Sequence, residues 1–78
     1  MLRNRMGGRQ LIDVLARRQR ADHLSDKEFA CVLGLRRDTW VHYRQGRRDA
    51  GYALVLAVAQ RLPEYAPELL QFLRNGGG

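Results

Sequence analysis

Apolar residues in the first half of the sequence recur at the spacing of an α-helix. Phe29, Ala30 and Leu33 share one face of a segment that opens with Ser25 and, three residues later, Glu28. These two polar residues match a capping box, in which each side chain bonds a backbone amide left free at a helix start. The pattern therefore predicts a helix that begins just after Ser25 and buries its apolar face.

A second helical pattern follows directly after Gly34. A glycine at this place can take the positive φ that often ends a helix, so a tight turn is expected there. Trp40 and Tyr43, three residues apart, give the next segment an apolar face, while its opening residues Arg36 and Arg37 are basic. The sequence thus predicts helix, turn, helix, with the polar side of the second helix offered to DNA.

The remaining segments supply three further helices. Leu11, Leu15 and their neighbours form a helical stripe ahead of a basic last turn, whose arginines either complement the helix dipole or contact phosphate. The apolar run 52–59 is compatible with a buried strand or a buried helix. Its alanines and its continuation to Pro63 favour a helix buried on more than one side. Pro67 suits a first helical turn, and the leucines after it give the last helix a broad apolar face.

These patterns predict an all-α fold. The helices are expected over about residues 9–20, 26–33, 36–45, 52–62 and 67–73. They form one domain over residues 9–75, preceded by a flexible basic arm at 1–8 and followed by a flexible Gly tail at 76–78.

Composition and charge favour a polyanionic partner. The 78-residue chain carries 14 Lys and Arg against 8 Asp and Glu, a formal charge of +6. Nucleic acid is the first candidate and an acidic protein the second. A membrane surface is disfavoured, because the basic residues are not gathered on one amphipathic helix. Nearly all of the positive charge is arginine, which suits phosphate and guanine, although a GC-rich genome produces the same bias.

Several classes of function are disfavoured by what the sequence lacks. Cys31 is the single cysteine and lies nearly opposite Phe29 on its helix, so a partly exposed, inert thiol is expected. With only His23 and His42 available, neither a metal centre nor another cofactor is expected. No apolar run is long enough for a signal peptide or a membrane span, which fits a bacterial cytoplasm. A small chain without a paired nucleophile and base is not expected to be an enzyme.

A set of small and apolar residues around Gly34 has the spacing of a known group of regulators. Ala30 precedes Gly34 by four residues, and a Gly46-Arg47-Arg48 turn leads into the apolar fourth helix. The flanking apolar positions are Phe29, Leu33, Leu35, Trp40 and Tyr43. Over about residues 9–73 the chain therefore resembles the helix-turn-helix domain of the lambda repressor and Cro class (XRE-type). That domain is a five-helix bundle in which helices 2 and 3 form the helix-turn-helix.

The resemblance implies that helix 3 enters the major groove, while the start of helix 2 and the turn after helix 3 hold phosphates. On the helical wheel, the positions that point most directly away from the core are Asp38, Val41, His42 and Gln45. The candidates for base reading are Arg36, Arg37, Asp38, Val41 and His42. The candidates for phosphate binding are Lys27, Arg44, Gln45, Arg47 and Arg48. Asp38 either accepts from a cytosine amino group or holds an adjacent arginine in place.

Two positions depart from the usual pattern of this class. Asp26 stands where members often carry a glutamine that binds phosphate, so its charge is expected to serve the helix dipole instead. The phosphate is then left to Lys27 or to the first backbone amides. Arg44 stands where a glutamate frequently pairs with an arginine of helix 1. Either that pair is reversed, with Asp13 or Asp22 as the partner, or Arg44 is free to bind DNA.

The expected function is that of a transcriptional regulator, a Cro-like repressor of a phage or bacterium that binds a two-fold operator of double-stranded DNA as a homodimer. The dimer surface is expected on helix 5, with helix 4 assisting, and comprises Leu69, Leu70, Phe72 and Leu73. The alternative is a protein-interaction module, an antitoxin or a small phage factor. Such a module binds a polymerase or another regulator through helices 4 and 5.

Overall fold

The computed structural model describes residues 6–74, with side chains over 9–74, and this range contains helices and no strand. The five α-helices are α1 Met6–Ala21, α2 Asp26–Leu33, α3 Arg37–Arg44, α4 Tyr52–Arg61 and α5 Ala66–Arg74. A short 3₁₀ turn, Pro63–Tyr65, joins the last two. The prediction of an all-α fold with five helices is confirmed.

The first helix is longer than the sequence predicts. It begins at Met6 rather than at Arg9, so three residues assigned to the flexible arm belong to α1. Gly7 and Gly8 lower helix propensity without forbidding a helix, and the packed turns that follow extend α1 backward through them. The rest of the expected arm, residues 1–5, and the Gly tail at 76–78 lie outside the described residues.

Both ends of α2 are formed as predicted. Ser25 Oγ accepts from the backbone N–H of Glu28 at 3.1 Å, and Glu28 Oε1 accepts from the backbone N–H of Ser25 at 2.8 Å. At the other end Gly34 adopts a φ of 72°, and its N–H donates to the Cys31 carbonyl at 3.0 Å. A short turn at 34–36 then separates α2 from α3.

One apolar core joins all five helices. Trp40 of α3 is fully buried and packs on Phe29 of α2, with their ring centroids 5.0 Å apart. The buried apolar residues are Leu11, Ile12, Leu15, Ala16, Phe29, Ala30, Leu33, Trp40, Tyr43, Ala50, Leu54, Val58, Leu62, Leu69 and Phe72. Because α3 packs against α1 as well as α2, and α4 packs against α2, the orientation of α3 is fixed from more than one side.

The fourth helix is less buried than predicted. Leu54 and Val58 lie in the core, whereas Tyr52 and Leu56 are exposed on the opposite face. The prediction that this helix is buried on more than one side is therefore wrong. Its apolar run is continuous in sequence, but no helix of the described chain covers its outer face.

Arg18 ties the 3₁₀ turn to α1. Its Nε donates to Asp22 at 2.7 Å, and its Nη1 donates to Glu64 at 3.2 Å and to the Tyr65 hydroxyl at 3.3 Å. These hydrogen bonds, that with Asp22 foremost, raise the pKa of Arg18 above its ordinary value. This arginine of the basic last turn is thus engaged within the protein.

Candidate nucleic-acid interface

The first turn of α3 presents two arginines to solvent. Arg36 is the N-cap, with extended backbone, and Arg37 is the first helical residue; both side chains are exposed. Trp40 and Tyr43 hold the other face of the helix in the core, as predicted. The helix N-terminus, which carries a partial positive charge, therefore begins with two exposed guanidinium groups.

Asp38 takes one of the two roles expected for it. Its Oδ1 accepts from Arg37 Nη1 at 3.0 Å, with the side chains 79% and 59% exposed. An ion pair this exposed contributes about 0–1 kcal/mol. Asp38 therefore steadies Arg37 in the protein without DNA and can release it at low cost.

Val41 and His42 are half-buried rather than directed fully outward. The wheel assumes that α3 is covered on the side of Trp40 and Tyr43 alone, whereas α3 also packs against α1. The predicted orientation is wrong for these two residues, and it is confirmed for Asp38, which is exposed. Val41 and His42 each keep part of the side chain accessible at the surface.

The turn after α3 carries further polar groups. Its exposed side chains include Gln45, Arg47 and Arg48. The guanidinium carbon of Arg48 lies 5.6 Å from the ring centre of Tyr43, so a cation–π contact holds this arginine near the end of α3. Arg9 of α1 reaches the same end, where its Nη2 donates to the Arg44 carbonyl at 3.3 Å. Positive charge is thus concentrated where the helix dipole is negative.

Arg44 and Asp26 form an ion pair that the sequence did not reveal. Arg44 Nη2 donates to Asp26 Oδ2 at 2.7 Å, and the two side chains are only 37% and 27% exposed. The partner is neither Asp13 nor Asp22, because each of those binds an arginine four residues earlier in the chain. Both expectations for Arg44, a pair with a helix 1 aspartate and a free side chain, are wrong. The charge of Asp26 is neutralised by Arg44 and is not left facing solvent.

Gln19 links the same carboxylate to the core. Its Nε2 donates to Asp26 Oδ1 at 2.9 Å and to the Leu24 carbonyl at 3.1 Å. Its Oε1 accepts from the indole Nε1 of Trp40 at 2.9 Å. Gln19 is the buried polar residue of the described core. A continuous chain of hydrogen bonds therefore runs from the buried indole to a surface arginine and joins α1, α2 and α3.

The ion pair also determines where Lys27 lies. Lys27 follows Asp26 directly and is exposed, so its backbone starts beside the end of α3. An eight-residue helix is about 12 Å long. The arginines of the first turn of α3 therefore lie one helix length from the other cations. We refer to these exposed cations together as the basic face: Lys27, Arg36, Arg37, Arg47 and Arg48.

The residues expected to form a dimer surface are divided by the fold. Leu69 and Phe72 are buried in the core of the protomer, so they have no free surface to offer a partner. Leu70 and Leu73 are 61% and 56% exposed. The expected surface on α5 is thus reduced to these two leucines.

Other candidate chemistry is sparse over residues 9–74. Cys31 is exposed, as predicted. In this range no group of three or more His, Cys, Asp or Glu side chains is placed to hold a metal ion. The described helices include none long and apolar enough to cross a membrane.

Comparison with protein families, with curated proteins and with solved structures found no significant match for this chain.

Proposed function

We propose that this chain is a sequence-specific DNA-binding regulator of the lambda repressor and Cro class, a repressor that binds a two-fold operator as a dimer. In this proposal α2 and α3 form the helix-turn-helix, and α3 enters the major groove. The observation that carries it is the basic face, whose exposed cations lie at both ends of α3, a helix with its other side buried in the core. The activity requires no catalytic residue and no cofactor, and it is exerted in a bacterial cytoplasm.

The distribution of carboxylates supports this proposal. Asp13, Asp22 and Glu64 bind arginines of α1, and Asp26 binds Arg44. Within the basic face, Arg37 is the residue with a carboxylate partner in the described chain, and that pair is largely exposed. These four carboxylates therefore pair with arginines outside the basic face, whereas the exposed Asp49 follows Arg48 directly in sequence. The excess of cations around α3 supports binding to phosphate.

The two ends of α3 are suited to different contacts. Arg36, exposed at the N-cap, is proposed to bind a guanine through O6 and N7, and Arg37 to do so after it leaves Asp38. Val41 and His42 then contact bases with the accessible parts of their side chains. At the other end, Arg47 and Arg48 are proposed to bind phosphates, which fix the register without reading sequence. Lys27 serves the same purpose from α2.

Dimerisation is compatible with the size of the protomer. Its principal extents are 35 × 25 × 21 Å. Recognition helices of a two-fold dimer lie roughly 34 Å apart, one turn of the duplex. Two copies side by side, joined at Leu70 and Leu73, are proposed to present their α3 helices at about this separation.

A second function is favoured by the exposed apolar side chains of α4 and α5. Tyr52, Leu56, Leu70 and Leu73 lie on the surface of these helices. A protein-interaction module, such as an antitoxin, would use them to bind a partner other than a second copy.

Two measurements test the proposed function. Selection of bound sites from a random DNA pool should enrich a palindromic sequence. A mobility-shift titration of that site at several salt concentrations should give a log–log slope near −5 if about six phosphates are contacted. Recovery of no sequence preference, or no shift with any duplex, contradicts the proposal and favours the protein-interaction module.

A further inference from the structure

Arg61, the last residue of α4, reaches across to the turn between α2 and α3. Its guanidinium lies against Gly34, since a Cβ added to that glycine would stand 2.8 Å from Nη2 and 3.0 Å from Cζ of Arg61. A Cβ at this position would displace the flexible end of Arg61, while the positive φ of 72° independently favours glycine. The turn that leads into α3 is thus covered by a side chain from a different part of the chain.

The positive charge of Arg61 is not neutralised by a carboxylate of the described residues. The side chain is exposed, and it makes no ion pair within residues 9–74. Arg9, Arg18, Arg37 and Arg44, in contrast, each bind a carboxylate. Arg61 is therefore an exposed cation beside the turn, with no carboxylate partner among residues 9–74.

This cation lies near the first turn of α3, which carries the two arginine candidates for base reading. Gly34 precedes Arg36 by two residues, which places their Cα atoms within about 8 Å of each other. Apart from the base-reading arginines, the cations of the basic face lie at the opposite end of the helix, about 12 Å away. The major groove is about 12 Å wide and is bordered by sugar-phosphate backbone on each side, so cations exposed beside a bound helix can reach phosphates. Because Arg36 and Arg37 are proposed to bind bases, Arg61 is the cation at this end of α3 that remains available for a phosphate.

We propose that Arg61 binds a DNA phosphate beside the first turn of α3, at the end remote from Arg47 and Arg48. This inference rests on the proposed function and adds α4 to the DNA-binding surface. Gly34 then has two roles. It adopts the positive φ that ends α2, and its lack of a Cβ leaves the Arg61 guanidinium in its place beside the turn.

A purely structural role for Arg61 makes a different prediction. The last turn of α2 carries no basic residue, and a cation near that end complements the helix dipole. Loss of such a cation lowers the stability of the protein. It does not change the number of counterions that the protein releases from DNA.

The test compares Arg61→Ala, Arg61→Lys and the matched control Arg17→Ala in the full chain. Arg17 is exposed on α1, beside Gln71 and Phe72 of α5. Affinity is measured over a series of salt concentrations, on the selected site and on random duplex. Thermal unfolding followed by circular dichroism is recorded for each variant.

The expected result is a log–log salt slope reduced in magnitude by about 0.9 for Arg61→Ala, with affinity about tenfold weaker in 0.1 M salt on both DNAs. Arg61→Lys should retain most of the slope, and Arg17→Ala should leave it unchanged. If the unaltered protein binds DNA and Arg61→Ala leaves the salt slope unchanged, this inference is overturned, whether or not the unfolding temperature falls. Absence of DNA binding by the unaltered protein overturns the proposed function and this inference together.

Discussion

Asp26 and Arg44 hold the start of α2 against the end of α3 through a 2.7 Å ion pair. These are the two positions at which the sequence departs from the lambda repressor and Cro pattern. Along the chain they look like independent departures, one at a phosphate-binding position and one in an ion pair with helix 1. In the structure they are a single contact, in which each residue neutralises the charge that the other would leave exposed.

A double-mutant cycle on this pair should show coupling. Asp26→Ala and Arg44→Ala are each expected to lower the free energy of unfolding, and the double variant to lower it by less than their sum. The coupling should be about 1 kcal/mol, since the pair is partly exposed. Urea unfolding followed by circular dichroism measures it. Arg44→Ala combined with Asp13→Ala is the control, and coupling there rather than with Asp26 would contradict the assigned contact.

Gln19→Leu should destabilise the protein although leucine and glutamine are similar in volume, because the buried hydrogen bonds of Gln19 are lost. The substitution removes the acceptor of the Trp40 indole N–H and one donor to Asp26, and it leaves a buried donor unpaired. A loss of about 1–3 kcal/mol is expected in chemical unfolding. Gln60→Leu, at an exposed position of α4, should change stability by less than about 0.5 kcal/mol. Equal effects of the two variants would show that the Gln19 hydrogen bonds contribute little.

The acid sensitivity of the protein should depend on Glu28. The backbone N–H of Ser25, and then its side chain, lower the pKa of Glu28 below the ordinary 4.5. A carboxylate with a lowered folded pKa stabilises the protein above its unfolded pKa, and this contribution is lost as the pH falls through the folded pKa. The unfolding temperature of the unaltered protein should therefore fall below about pH 4.5 more steeply than that of Glu28→Gln.

Glu28→Gln is informative because glutamine keeps the capping hydrogen bond and loses the titrating group. Asp49→Asn, in the exposed turn before α4, is the matched control and should retain the steep fall. If the unfolding temperatures of the unaltered protein and Glu28→Gln fall in parallel with pH, Glu28 does not contribute to the acid sensitivity, which contradicts this prediction.

Substitutions at the two ends of α3 should separate base reading from phosphate binding. Arg37→Ala is expected to relax specificity at one base pair and to weaken the selected site by about 1–3 kcal/mol, with a smaller loss on random duplex. Arg48→Ala should weaken both DNAs alike and reduce the salt slope by about 1. Mobility-shift titrations on both duplexes make the comparison. Equal losses on both duplexes for both variants would refute this division of roles.

Local sequence signals were sufficient to predict the boundaries of α2 and the buried face of α3. The capping box at Ser25 and the positive φ at Gly34 each depend on neighbouring residues, so they can be predicted from a short stretch of chain. The Asp26–Arg44 pair spans 18 residues and the Gln19–Trp40 hydrogen bond spans 21, and neither distance follows from helical spacing. The one signal in the sequence that could have indicated the ion pair is that the two unusual positions, Asp26 and Arg44, carry charges of opposite sign.

Helix 5 shows the limit of apolar spacing as a guide. Two apolar pairs, Leu69-Leu70 and Phe72-Leu73, flank Gln71, so the pattern does not say which residue of each pair faces the core. Packing against α1 decides it by burying Leu69 and Phe72. The same limit applies to α4, where a continuous apolar run is buried on one face only.

The burial of Trp40 gives the protein its own optical reporter. It is the single tryptophan of the chain, it is fully buried, and its N–H is bonded to Gln19 rather than to water. Its fluorescence should therefore shift to longer wavelength when the core opens, and should change little when a ligand binds to the exposed basic face. Unlabelled protein thus allows loss of folding to be distinguished from loss of DNA binding, variant by variant, in the same cuvette.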